Sequence, residues 1–105
     1  MEQCHILALS NAADGRDDDY RAWYQQAHLR DVCAIDGVVN GKFHEATNDN
    51  ARWRYMALYA IAAGALDAVL ATMAEIRGTE RMRLTDSLDT TVRRQHQWHR
   101  FEVVN

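Results

Sequence analysis

The sequence predicts an α+β domain with its elements in the order β-α-β-β-α-β. Three observations carry that prediction. Tyr20 to Ile35 and Leu66 to Ile76 space their apolar residues three and four apart, the period of an amphipathic helix. Cys4 to Ser10, Val38 to Ala46, Trp53 to Ile61 and Arg93 to Val104 read instead as strands. Turn formers separate these stretches, among them Asp14-Gly15, Asp36-Gly37, Asn48-Asp49-Asn50 and Gly78.

Each element has its own warrant. Cys4 to Ser10 is a mostly apolar run that breaks off at Asn11-Ala12-Ala13-Asp14-Gly15. Asp17-Asp18-Asp19 then places three carboxylates where a helix begins, at the positive end of its dipole. Tyr20, Trp23, Tyr24, Ala27, His28, Val32 and Ile35 form the buried stripe of that helix, which Asp36-Gly37 stops. The second strand, Val38 to Ala46, is expected to bulge at Gly41. In the third, Trp53, Tyr55, Ala57, Tyr59 and Ile61 share one face, with Arg54, Met56, Leu58 and Ala60 on the other. Both faces are apolar at mid-strand, as in a central strand covered on both sides. Leu66, Val69, Leu70, Met73 and Ile76 trace the second helix. Thr79 to Thr91 is a long connection, the kind of segment that carries function or packs over an edge.

A chain of 105 residues, 48% hydrophobic and 26% charged, is expected to be one domain, 1–105. A net charge of −3 argues against nucleic acid as a partner. Arg77, Arg81 and Arg83 cluster, but Glu75, Glu80 and Asp86 are interspersed with them. The start of the chain lacks a signal-peptide pattern, and the longest apolar run, Met56 to Ala63, is too short to span a membrane. Cys4 and Cys33 form neither a metal motif nor a disulfide framework, so a reduced, cytoplasmic setting is expected.

The element order is the ferredoxin-like split βαβ pattern: an antiparallel four-stranded sheet with two helices on one face. Its second face would be apolar and bare, so a homodimer, a dimeric α+β barrel, is the economical expectation.

The run Trp23-Tyr24-Gln25-Gln26-Ala27-His28-Leu29-Arg30-Asp31-Val32, followed by Asp36-Gly37-Val38, resembles the first helix of the EthD-like branch of the dimeric α+β-barrel superfamily. Asp36-Gly37 stands where that branch usually has proline-glycine. Asn11 to Asp17, Tyr55 to Ile61 and Gly78 to Asp89 extend the resemblance along nearly the whole chain. Members of the superfamily include cofactor-independent monooxygenases, cyclases, isomerases and haem-degrading enzymes. The resemblance therefore implies a dimer with a cavity rather than one chemistry. It also implies that His28 matches the helix-one histidine that serves in acid/base catalysis in several branches, with Tyr24 matching the aromatic before it.

The candidate chemistry centres on His28 as general acid/base, with Tyr24 and Tyr59 holding a polarised oxygen. The alternative for His28 is a structural histidine on an apolar helix face, and for the tyrosines, core packing. Asp31 either orients the His28 ring, or faces solvent or pairs with Arg30 or Arg54. Trp23, Tyr55, Asp31, Phe43 and Trp98 complete the set as substrate-binding candidates. His96 and His99 lie three apart on a strand and so face opposite ways, which disfavours a metal site. The expected function is a small enzyme without cofactor or metal, acting on a small hydrophobic or aromatic molecule by isomerisation, cyclisation, dehydration or oxygen insertion. A non-catalytic binding or accessory protein is the alternative, and haem binding a third.

Overall fold

Alternating burial along β1 (Cys4–Ser10), with Cys4, Ile6, Ala8 and Ser10 buried, sets which face of the sheet the helices cover. The computed structural model describes residues 4–89 and the backbone of 97–102. The expected strand beginning at Arg93 therefore lies partly outside the described residues. The other strands are β2 (Val38–Glu45), β3 (Tyr55–Ile61) and β4 (Gln97–Glu102). They run in the antiparallel order β2-β3-β1-β4, so β3 lies between β2 and β1.

The first helical stretch has three parts: α1 (Asp17–Trp23), a π-helical turn (Tyr24–His28) and α2 (Leu29–Cys33). Asp18 pairs with Arg21 and Asp19 with Arg16 in its first turn. Ala62 donates to the Gly37 carbonyl at 2.8 Å. Gly37 has φ +99°, and a Cβ there would meet Ala65 Cβ at 2.8 Å and Val69 Cγ2 at 2.9 Å, so this helix stop demands glycine. The last helix is α3 (Leu66–Ile76), with Leu66, Val69 and Ile76 buried.

The bulge expected at Gly41 lies elsewhere. The register of β2 on β3 slips between Val38 and Asn40, while Gly41 pairs regularly with Tyr59. Close approach is the reason for glycine at 41: a Cβ would stand 2.6 Å from the Tyr59 ring and 2.9 Å from Cys33 Sγ. The third strand begins at Tyr55 rather than Trp53. Its tyrosine face is buried under the helices. On its other face Met56 and Leu58 stay half-buried, so one chain covers only one side of the expected doubly covered strand.

The core under the helices is aromatic. Tyr20, Tyr24, Tyr55 and Tyr59 are all 1% exposed or less. Phe43 stacks on Tyr24 (4.2 Å, 15°) and lies nearly parallel to Tyr55 (5.5 Å, 12°), and Tyr20 leans on Tyr55 at 5.2 Å. Buried hydroxyls find partners here: Tyr20 donates to Ser10 Oγ at 2.6 Å.

Candidate functional site beside a π-helical turn

Residues 24–28 read Tyr-Gln-Gln-Ala-His, with nothing that breaks a helix. The Leu29 amide nevertheless donates to the Tyr24 carbonyl five residues back, the mark of a widened turn. In an α-helix, side chains three and four apart meet and those five apart diverge. The π turn removes that separation. Trp23 and His28 stack with ring centroids 4.6 Å apart and planes 16° apart, while Tyr24 meets the same imidazole edge-on at 4.8 Å.

This stacked pair forms one wall of a cavity of about 320 Å³. Leu70, Met73 and Ala74 of α3 form the facing wall, and Met82, Leu84 and Leu88 roof it. No strand residue lines it; the cavity lies within the helical layer and under the segment 77–88. That strap is closed on itself at its start and tied to the loop after β1 at its end. Gly78 donates to the Met82 carbonyl at 2.9 Å, Ala13 to the Ser87 carbonyl at 2.6 Å, and Asp89 to the Asn11 carbonyl at 2.9 Å. The Trp23 indole N–H is buried and makes no hydrogen bond to any described residue, an unmet donor at the cavity wall.

The predicted site residues divide between cavity and core. His28, 5% exposed, and Trp23 line the cavity. Tyr24 and Tyr59 do not; their hydroxyls lie 3.3 Å apart in the core beneath the helix. Burial pushes both phenols well above the ordinary range, so they remain neutral. Phe43 is held in the aromatic stack. The Tyr55 hydroxyl donates to the Asp17 carboxylate and accepts from Arg21 at 3.2 Å. Burial first, then the bond to Asp17, raises it to about 12. Asp31 Oδ2 accepts the Arg83 amide at 3.2 Å and so pins the strap, while Arg54 pairs with Glu45 at 2.9 Å. Trp98 belongs to β4, its backbone opposite Ala8, and its side chain lies outside the described residues, as do those of His96 and His99.

Several cavity residues carry no functional mark in the sequence. Leu70 and Met73 read there as core, and Arg77 as part of a mixed surface cluster. The one available signal was the length of the connection after Gly78. Among the described residues no group of three or more His, Cys, Asp or Glu could hold a metal ion. Haem fits poorly: the volume is at the low end for small-molecule sites, tight for a tetrapyrrole.

No protein-family model matches the chain, and no curated protein is detectably similar to it. Solved structures are, and two of them follow. The crystal structure of a "putative monooxygenase" from Shewanella loihica PV-4 superposes with a TM-score of 0.70 at 10% identity, covering 99% of this chain and 96% of that one. A DABB family protein with a ferredoxin-like fold from Mesorhizobium loti MAFF303099 gives 0.58 at 10% identity, over 100% and 98%. Among the described residues no helix is long and apolar enough to cross a membrane. The chain has the ferredoxin-like α+β fold.

Proposed function

We propose that this chain is a small cofactor-independent enzyme of the EthD-like kind, acting on a small, flat, apolar molecule in the cavity beside the π-helical turn. The stacking of His28 on Trp23 at the wall of an apolar cavity carries the reading. A histidine is the side chain best suited to proton transfer near neutral pH, and largely apolar walls strengthen its interaction with a bound ligand. In this scheme His28 takes a proton from a phenol, enol or activated carbon of the ligand and returns one to the product. Tyr24 and Tyr59 act as positioning residues: Tyr24 holds the imidazole edge, and its hydroxyl is in turn held by Tyr59.

A fold relative described as a "putative monooxygenase" makes oxygen insertion into an activated enolate one candidate reaction beside isomerisation and cyclisation. We further propose that the half-buried sheet face bearing Leu7, Leu9, Met56 and Leu58 pairs with a second copy, giving a cytoplasmic homodimer.

Thermal-shift screening of hydroxylated naphthalenes and their keto tautomers, followed by turnover assays on those that bind, tests the catalytic reading. His28→Ala is expected to bind with little change and to lose about 10²–10⁴ in rate. Turnover that survives His28→Ala would remove the assignment. Binding with no turnover in the wild type would favour an accessory protein that sequesters the same ligand.

A further inference from the structure

We propose that the cavity selects an anionic ligand: an aromatic or similarly apolar carboxylate of one or two rings, its ring beside Trp23 and His28 and its carboxylate held at the rim by Arg77. This rests on the cavity being the binding site, and it adds the chemical class of the ligand.

Arg77 is exposed and lines the cavity, and no Asp or Glu lines it. Among the described residues, Arg77, Arg81 and Arg83 have no carboxylate within ion-pair distance. Of the described arginines outside this region, Arg16, Arg21 and Arg54 are each paired, with Asp19 and Asp86, with Asp18 and Glu45, and with Glu45 and Asp49, while Arg30 and Arg52 have no carboxylate within ion-pair distance. What sets Arg77 apart among these unpaired arginines is its place: it alone of them lines the cavity.

The backbone that carries Arg77 is fixed. Its amide donates to the Met73 carbonyl at 3.1 Å, and the next residue, Gly78, bonds the strap at Met82. The C-terminal end of α3 favours a cation there, which lets a guanidinium sit at the rim without a protein carboxylate. Guanidinium forks onto a carboxylate through two parallel N–H bonds, whereas an anion entering an apolar cavity unpaired loses its hydration uncompensated. Arg77 is therefore a specificity-determining residue: it separates acids from their neutral isosteres, while the apolar walls recognise the ring.

The test compares 2-naphthoate with 2-naphthamide, nearly the same shape with and without charge, by quenching of tryptophan fluorescence in the full chain. Wild type is expected to bind naphthoate about tenfold more tightly. Arg77→Met and, independently, Arg77→Gln are expected to abolish that preference while leaving the naphthamide Kd within about twofold. Arg83→Gln should leave both within about twofold. Equal affinity in the wild type, or a preference that survives both Arg77 variants, overturns the charge assignment and leaves the cavity reading standing. Binding of neither probe overturns both.

Discussion

The first helix has two sides that obey different rules. Toward the sheet, Tyr20 and Tyr24 pack against Tyr55, Phe43 and Tyr59, every ring in contact and the hydroxyls bonded. Toward the strap, Trp23 and His28 face empty volume, and an indole N–H has no protein acceptor among the described residues. One helix, within two turns, both completes a core and leaves a gap in one. Full packing with satisfied polar groups is what stability selects. A cavity at the helix surface does not add to stability as a filled core does.

That contrast breaks first under truncation. Tyr24→Ala removes a ring from a filled core and is expected to cost about 4 kcal/mol, whereas Met73→Ala only enlarges an existing cavity and should cost under about 2 kcal/mol. Urea unfolding of the two variants decides it, and equal losses would mean the two sides are packed alike. Next in size is Gly41→Ala. Its new methyl collides with the Tyr59 ring and Cys33, so the urea midpoint should fall by the equivalent of about 2 kcal/mol without altering cavity binding. An unshifted midpoint would show that the sheet side has slack.

The smallest effect near neutral pH is the response to alkali. Burial raises Tyr20 to about 12 and Tyr24 and Tyr59 further, so the folded chain holds their phenolic protons more tightly than the unfolded chain does. This stabilisation is whole below the ordinary phenol value of 10.0 and falls as pH rises through 12. Absorbance at 295 nm should stay nearly flat past pH 10 and then rise together with unfolding. A phenolic titration centred at 10 in the folded protein would contradict the burial of these rings.

The sheet side was the legible side. Cys4 to Ser10, the tyrosine face of β3 and the helix Leu66 to Ile76 all follow from apolar spacing, because strand and helix periods leave that spacing as their trace. The fold order followed from them. The cavity side was legible only in part. A period of 3.6 pairs Tyr24 with His28, and they do touch; it cannot pair Trp23 with His28, because no α-helix brings residues five apart together. Gly41 looked like a bulge because close backbone approach and a slipped register leave the same glycine. Arg77 looked like surface because an unpaired cation at a rim and a solvated one share a sequence.

The π turn has one more consequence, for how this chain can change over time. A widened turn absorbs one extra residue between two stretches of ordinary pitch, so α1 and α2 can each stay docked while their phase differs by a step. The exposed pair Gln25-Gln26 sits in that slack, with no core contact to protect. Insertion or loss of a single codon there would re-aim His28 against Trp23 while Tyr20 and Val32 kept their places. The helix thus holds a setting that evolution can turn by one notch, altering the wall of the cavity independently of the fold that carries it.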